Sequence, residues 1–364
     1  MLNLIYAHGY LVLKGHVNER LYTLFSVDGV TCFFVLSGYL VGGLLIKTFE
    51  KNGFSFRAML DFWIRRWLRT LPNYFLVLTI LMIMATVILK MDWVAHLDYY
   101  LFLQNLYTPH PAFFPDAWSL TVEEWFYLFV PLLIFIMSAF LRVKLKTSVG
   151  VMIFFIIAFC TVVRLYRHWY GPVMHSYDEW DLTYRKQIIT RLDSIMFGVL
   201  VAYIRHYYKQ YWGKHVKLLF VIGLLMCVFD HFYLYFTRVN NLSYDFYTNV
   251  LSFMVLCMGT VFTIPYLCTI RQSDALFFRI LTFISIISYS IYLLNLNMVQ
   301  LIFMPFIIKI ASHFIHGKLL LVVKYGIYWF LTIFLGTLLY KYFESKVMNL
   351  RDKVDLHVKT QHVD

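Results

Sequence analysis

The chain has 364 residues, of which 61% are hydrophobic and 14% are charged, and it carries a net charge of +12. A soluble domain has about 25% charged residues, so this composition excludes a water-facing globular fold and gives no indication of nucleic-acid binding. We expect an all-α polytopic membrane protein, because backbone polar groups in lipid must be satisfied within each helix.

Apolar windows predict the membrane spans, since a crossing helix needs about 20 mostly apolar residues. The predicted spans are 24–46, 72–89, 120–141, 148–165, 188–204, 218–236, 248–269, 281–308 and 319–340. The first apolar stretch, 2–13, is short: either it is the end of a first helix or the true start lies upstream. The stretch 98–107 is also short, and we predict an interfacial or re-entrant segment there. The result is a bundle of about ten transmembrane helices.

Basic residues predict the orientation of this bundle. Of the 32 Lys and Arg, 20 lie in one set of loops and ten in the opposite set. Cytoplasmic loops are enriched in Lys and Arg, so we expect both termini to be cytoplasmic and anionic lipid to be a natural partner. We expect residues 1–350 to form the membrane domain and residues 351–364 a short cytoplasmic tail. The start lacks the basic region and cleavage site of a signal peptide.

The stretch FWIRRWLRTLPNYF, residues 62–75, places Arg65, Arg66 and Arg69 beside a predicted span. Arg66 and Arg69 are three residues apart and project from one helix face. Basic residues at span ends ordinarily anchor a helix in the interface. Two guanidinium groups on one face can also hold phosphate oxygens bidentately. The candidate ligands are therefore lipid headgroups or the phosphates of a coenzyme A thioester.

Ionisable residues inside lipid are functional candidates because burying charge there is costly. Candidates of this kind are His8, Asp28, Glu123, Glu124, Arg191, Asp193, Asp230 and His231. The alternative roles are a hydrogen-bonded core histidine, helix caps, and mutual neutralisation of charges such as Arg191 and Asp193. Five cysteines lie in apolar runs without a C-x-x-C pair, so we expect small core residues and neither a metal site nor disulfides. Gly38 and Gly42 have the spacing that allows two helices to approach closely.

Six segments are similar, in order, to the motifs of acyltransferase family 3, a family of integral membrane O-acyltransferases that often modify bacterial surface polysaccharides. They are CFFVLSGYLVGGLL, RRWLRTLPNYF, WSLTVEEWFYLFVPLL, ITRLDSIMFGVLVAY, SYSIYLLNLNM and KYFESKVMNL. The resemblance runs from about His8 to Leu350. It implies that His8 is catalytic, that Arg66 and Arg69 hold the donor acyl-CoA, and that Glu123 is the motif glutamate after Trp118. The glutamate would orient a donor, stabilise an imidazolium or bind the sugar.

The chain departs from the family pattern at three places. An arginine about eleven positions before the histidine is missing: seven residues precede His8 and none is Arg. Either the start is late or the arginine is absent. Asn295 stands where the family has a histidine, and Thr31 or Cys32 where it has an acidic residue, although Asp28 is close. No esterase-like domain follows, so we expect a stand-alone enzyme.

The resemblance implies an acyl-CoA-dependent O-acyltransferase of the bacterial inner membrane, with acetyl as the acyl group and no permanently bound cofactor or metal. The acceptor stays open between a glycan or lipid-linked sugar (lipopolysaccharide, peptidoglycan or exopolysaccharide) and a small secreted molecule. The alternative functions are a transporter of a glycan or lipid-linked sugar, and an inactive protein of the same fold.

Overall fold

The computed structural model of the chain describes residues 1–240, 242–270 and 274–350, and this part is all-helical without a strand. Fourteen α-helices within these ranges are named in chain order: α1 Leu2–Leu13, α2 Glu19–Leu24, α3 Gly29–Asn52, α4 Phe56–Leu89, α5 Ala117–Phe135, α6 Leu145–Tyr170, α7 Tyr177–Trp180, α8 Leu192–Tyr207, α9 Val216–Val239, α10 Ser252–Leu267, α11 Leu276–Ile286, α12 Ser288–Leu294, α13 Met304–Ala311 and α14 Gly317–Leu339. Short π-helices extend several of them, including the five-residue Ile136–Phe140 after α5 and the nine-residue Asn295–Phe303 between α12 and α13.

Eight helical segments in the described residues are long and apolar enough to cross a membrane. They are Glu19–Asn52, Phe56–Val87, Ala117–Phe140, Leu145–Tyr170, Val216–Val239, Tyr247–Leu267, Ser288–Ala311 and Gly317–Leu350. The all-α polytopic fold predicted from composition is therefore confirmed. Helices α1 and α8, which the prediction of ten spans also counts, are shorter, with 12 and 16 residues.

Two predicted span boundaries are wrong. The span predicted at 72–89 belongs to a helix that begins at Phe56, so that Pro72 lies inside α4. Proline is tolerated within membrane helices because neighbouring groups satisfy the freed backbone carbonyl. The span predicted at 281–308 is divided at Ile287, where α11 ends and α12 begins. An apolar run continues across this break, so composition alone gives no sign of it.

The segment 98–107 does not cross the bundle. It begins within the 3₁₀ helix Val94–Leu101 and continues through turns. Asn105 in this segment is fully buried, and its amide nitrogen donates to the carbonyl oxygens of Trp118, at 3.2 Å, and Lys186, at 2.8 Å. The loop after α4 is thereby fixed against the start of α5 and the 181–187 segment.

Helices α3 and α8 form a close pair at the centre of the bundle. A Cβ atom on Gly38 would lie 1.9 Å from the carbonyl oxygen of Ile195, and one on Gly198 would lie 2.0 Å from that of Val35. A side chain at either position would force the two backbones apart. The prediction that Gly38 is a helix-packing residue is confirmed. The sequence did not single out Gly198 as its partner.

The cysteines are free thiols, and Cys160 and Cys257 are buried as predicted. The prediction is wrong for Cys268, which is exposed because it lies just after the end of α10. Cys32 and Cys227 are half-buried.

Candidate functional site

His8 lies in the middle of α1 and faces the carboxyl group of Asp116. Its Nε2 atom is 3.9 Å from Asp116 Oδ1, and its side chain is 26% exposed while that of Asp116 is buried. Within the described residues, His8 Nδ1 and Asp116 Oδ2 are buried without a hydrogen-bond partner. Buried polar atoms are ordinarily paired, so orphaned atoms on two adjacent titratable groups point to a functional arrangement.

Asp116 is placed by backbone contacts at the start of α5. The hydroxyl of Tyr292 donates to the Asp116 carbonyl oxygen at 2.9 Å and lies 2.5 Å from Ser119 Oγ. Asp116 lies just outside the membrane-spanning part of its helix. Burial raises the pKa of its carboxyl group to about 7, although the nearby Lys186 ammonium lowers it. This carboxyl group therefore titrates near neutral pH.

His8 opens onto a cavity of about 290 Å³, which we call the inner cavity. Its charged lining residues are Asp28, Asp181, Arg185, Lys186, Asp230 and Arg238. Arg185 joins two of the acids, with guanidinium nitrogens 3.0 Å from Asp28 Oδ1 and 2.8 Å from Asp181 Oδ1. Lys186 Nζ lies 2.6 Å from Asp181 Oδ2. The histidine is thus accessible from a small polar space with fixed charges of both signs.

A second polar centre surrounds Arg66. The Arg66 guanidinium donates to the hydroxyl of Tyr127 and lies 4.5 Å from the centroid of its ring. The same hydroxyl donates to Glu123 Oε2 at 2.8 Å and is 3.0 Å from Ser37 Oγ. Arg66 is therefore half-buried against α5, and its partner Tyr127 is in turn hydrogen-bonded to the Glu123 carboxylate.

The face of α4 that carries Arg66 continues with further buried polar contacts. Thr70 Oγ1 donates to Glu124 Oε1 at 2.8 Å, and Glu124 Oε2 is buried without a partner among the described residues. One turn farther, the Asn73 amide donates to Glu344 Oε2 at 2.9 Å. Arg69 is exposed, and its charge acts on Glu344. The two arginines thus begin a polar face that leads into the bundle.

One helix face connects the two centres. Asp116, Ser119, Glu123 and Tyr127 are spaced i, i+3, i+7 and i+11, which places them along one side of α5; we call them the polar stripe. Eleven residues of helix span about 16 Å, roughly half of the 30 Å hydrocarbon core. The stripe therefore runs from the partner of His8 to the partner of Arg66 across the middle of the bundle.

The residues predicted from sequence fall into two groups. His8 belongs to the inner cavity, whereas Arg66 and Glu123 belong to the other end of the polar stripe. Seven residues, about 10 Å of helix, separate Glu123 from Asp116, the carboxylate beside His8. The residue that sequence reasoning missed is Asp116. Its one signal is its place two residues before Trp118 of the WSL motif, which identifies it only as a residue near a helix start.

The remaining intramembrane charges have hydrogen-bond or ion-pair partners, although Arg191 Nε is buried without one among the described residues. Asp193 accepts from Arg164 at 2.6 Å, with both side chains fully buried, and the Arg191 guanidinium donates to Thr31 Oγ1 at 2.5 Å. Asp28 caps α3 by accepting from the Val30 amide at 3.1 Å, in addition to its ion pair with Arg185. Asn295, which replaces the family histidine, has its Oδ1 atom 2.8 Å from the Tyr328 hydroxyl.

No group of three or more His, Cys, Asp or Glu side chains suited to a metal ion occurs in the part of the chain that the structure describes. The groups that can act chemically are the His8 imidazole and its carboxyl neighbour, with a separate cationic group at Arg66.

The chain is a polytopic helical membrane protein with a histidine at a polar cavity and a half-buried arginine near the opposite end of the polar stripe. Residues 3–346 match the sequence model of a family described as "Acyltransferase domain". The chain belongs to this acyltransferase family.

Among its relatives is a protein of Staphylococcus aureus (strain COL) with the name "Putative O-acetyltransferase", 27% identical over 358 residues. The alignment covers 92% of this chain and 54% of the relative. The O-acetyltransferase OatA of S. aureus (strain NCTC 8325 / PS 47) is 25% identical over 343 residues, which are 88% of this chain and 52% of OatA. The peptidoglycan O-acetyltransferase OatA of Listeria monocytogenes is 33% identical over 133 residues, which are 32% of this chain and 20% of that protein.

This chain spans about half the length of the two S. aureus relatives. No solved structure matches it. The family assignment therefore comes from sequence, and it agrees with the resemblance in the six motifs.

Proposed function

We propose that the chain is a membrane O-acyltransferase that moves an acetyl group from acyl-CoA to a hydroxyl group of a cell-surface glycan. The observation that carries the proposal is the His8–Asp116 pair, whose histidine lines the inner cavity and whose carboxyl group begins the polar stripe that leads to Arg66. The names of the relatives support O-acetyl transfer, and that of the Listeria protein supports a glycan acceptor. We place the protein in the bacterial cell membrane, with both termini cytoplasmic and residues 1–350 as the transferase domain.

In this proposal, acyl-CoA binds at the Arg66 end of the stripe. Arg66 and the exposed Arg69 lie one turn apart on α4, and their guanidinium groups are suited to bidentate contact with phosphate oxygens. The pantetheine arm then extends along the polar stripe, whose hydroxyl and carboxylate groups can contact its amides. This direction brings the thioester toward His8.

The proposed chemistry at His8 is general base catalysis. The unprotonated ring nitrogen of His8 takes the proton of the acceptor hydroxyl group. The acceptor oxygen forms a bond to the thioester carbonyl carbon, and the carbon–sulfur bond breaks. The CoA thiolate leaves and takes the proton from the imidazolium. Asp116, when ionised, stabilises that imidazolium, as carboxylates do in histidine-based catalytic groups.

The test is transfer of radiolabel by the purified protein in nanodiscs, supplied with [¹⁴C]acetyl-CoA and a panel of glycan acceptors. We expect labelled glycan and an equal amount of free CoA. Absence of both products in folded protein would contradict the proposal. Glycan binding without transfer of label would instead favour the transporter hypothesis.

A further inference from the structure

A second polar cavity lies next to the inner cavity and shares part of its wall. This outer basin has a volume of about 710 Å³. Thr23, Tyr177 and Arg238 line both spaces. The remaining wall of the basin comes from residues around the start of α2, the start of α7 and the end of α9. His8 is therefore close to a larger polar space, separated from it by a few side chains.

Arg238 is the charged side chain in the shared wall. Its guanidinium carbon lies 4.2 Å from the centroid of the Tyr177 ring, and its Nη2 atom is 3.7 Å from Glu19 Oε1. Arg238 is 34% exposed and Glu19 is 59% exposed. Contacts between solvent-exposed charges are weak. The Arg238 side chain is thus held by its contact with the Tyr177 ring and by a weak ion pair, and its displacement would join the two spaces.

Charged residues of both signs line the two spaces, and most of them are paired with one another. Among the described lining residues, three acids of the inner cavity, Asp28, Asp181 and Asp230, oppose three bases, Arg185, Lys186 and Arg238. The outer basin shares Arg238 and adds Glu19, Asp178 and Arg20, so that the described linings of the two spaces together hold five acids and four bases. Because most of these charges already pair within the walls, a charged ligand would gain little compensation for its lost hydration. An uncharged polar ligand matches these walls.

The inner cavity also offers an unused hydrogen-bond donor. Trp180 lines it and is only 2% exposed, and its indole Nε1–H has no partner in the described residues. A buried donor without a partner is costly, and a hydroxyl or carbonyl oxygen of a ligand would satisfy it. With Tyr177 and Tyr235 also in the wall, the cavity combines aromatic rings and polar groups. Its volume is near the lower end, about 300 Å³, of the range for small-molecule sites.

We propose that the inner cavity and the outer basin together form the acceptor site for an uncharged saccharide chain of at least two sugar units. The unit to be acetylated occupies the inner cavity beside His8, the adjoining units occupy the basin, and Arg238 divides the two spaces until the chain enters. This inference rests on the proposed acyl transfer, and its test is therefore a binding measurement that needs no turnover.

Cys227 provides the reporter, since it is a free, half-buried thiol in the wall of the inner cavity. The full chain carries Cys32→Ser and Cys268→Ser, which leaves the buried Cys160 and Cys257 as the other thiols. The protein in nanodiscs is labelled with a trimethylammonium methanethiosulfonate, and a Cys227→Ser variant gives the blank. We expect Arg238→Ala to speed labelling of Cys227 severalfold. Arg20→Ala, which changes the basin alone, is the matched control and should leave the rate unchanged.

An unchanged or slower labelling rate in Arg238→Ala would overturn the dividing role of Arg238. Folding of each variant is checked by its elution as a single species from size-exclusion chromatography. If Arg238→Ala does not fold, Arg238→Gln is used, because it keeps the stem and removes the guanidinium charge.

Protection of Cys227 then tests the ligand class. The probes are the monomer, dimer and trimer of N-acetylglucosamine, with a galacturonate trimer and a glucosamine trimer as anionic and cationic counterparts. We expect the neutral dimer and trimer to slow labelling more than the monomer, and the charged trimers to protect less. Equal protection by the monomer, stronger protection by a charged trimer, or no protection by any neutral oligomer would overturn the proposal. Acetyl transfer without protection would refute this site alone, whereas protection without transfer would refute the catalytic function alone.

Discussion

Asp116→Asn separates the catalytic role of the carboxyl group from its structural cost. The substitution keeps the shape of the side chain and the backbone carbonyl that accepts from Tyr292. If Asp116 stabilises the imidazolium of His8, turnover should fall by about 10²–10⁴-fold, the range for groups that take part in acid–base catalysis. The substrate affinities should change much less, because Asp116 lies behind the histidine.

The same variant should become more stable at alkaline pH. Burial raises the pKa of Asp116 from 3.8 to about 7, and this difference corresponds to about 4 kcal/mol of unfavourable burial of the charged form. The pKa of Asp116 is higher in the folded than in the unfolded state. Its contribution to the free energy of unfolding of the wild type is therefore most favourable at low pH, where the carboxyl group is protonated in both the folded and the unfolded state. It loses that advantage as pH rises from about 4, the unfolded pKa, through about 7, the folded pKa. Asp116→Asn has no such titration.

The assays are turnover with acetyl-CoA between pH 5.5 and 8.5 and thermal unfolding of the same preparations at pH 5 and pH 8. We expect Asp116→Asn to raise the midpoint of unfolding relative to wild type at pH 8 more than at pH 5, while losing activity. Asp92→Asn is the control, since Asp92 lies in the exposed loop after α4. Wild-type turnover in Asp116→Asn would refute the pairing with His8, and equal destabilisation at both pH values would show a purely structural role.

Three further predictions concern the donor end and the bundle. Glu123→Gln should raise the apparent KM for acyl-CoA in steady-state kinetics, because Glu123 accepts a hydrogen bond from Tyr127, the partner of Arg66. Unchanged kinetics would show that Glu123 is not part of the donor site. Arg66→Lys should weaken acyl-CoA binding more than Arg65→Lys does, since an ammonium group cannot reproduce the planar fork; equal binding would leave only membrane anchoring. Gly198→Ala should lower the midpoint of thermal unfolding, because its Cβ would lie 2.0 Å from a backbone oxygen, and overpacking costs about 1–3 kcal/mol. A Cβ atom on Gly326 would have no neighbour within 4 Å, so Gly326→Ala should leave the midpoint of unfolding unchanged. A similar fall of the midpoint in both variants would contradict the close contact of α3 with α8.

The sequence predicts the helical bundle well because lipid imposes a simple requirement on every span. Apolar length identifies the crossing segments without any knowledge of their contacts. It does not identify breaks between apolar neighbours, such as the one at Ile287, or the continuation of α4 through Pro72, because neither changes the composition of the window. The orientation of the bundle stays a prediction from its basic residues.

The site is only partly predictable for a related reason. His8 and Arg66 are recognisable as unusual residues in apolar surroundings and as matches to family motifs. Asp116 acquires its importance from a contact with a residue 108 positions away, which no local pattern encodes. The same holds for Glu123: the sequence placed it among candidate partners of the histidine, whereas its contact with Tyr127 places it with Arg66.

The central claim is that His8 performs acyl transfer in the inner cavity. The most direct measurement compares wild type with His8→Ala in release of CoA and in labelling of the glycan product, using equal amounts of monodisperse protein. The account predicts that both products fall together by at least about 10²-fold, while acyl-CoA binding, measured separately, is retained because the Arg66 end is intact. Wild-type transfer by His8→Ala would contradict the account, since the proposed base would then be dispensable.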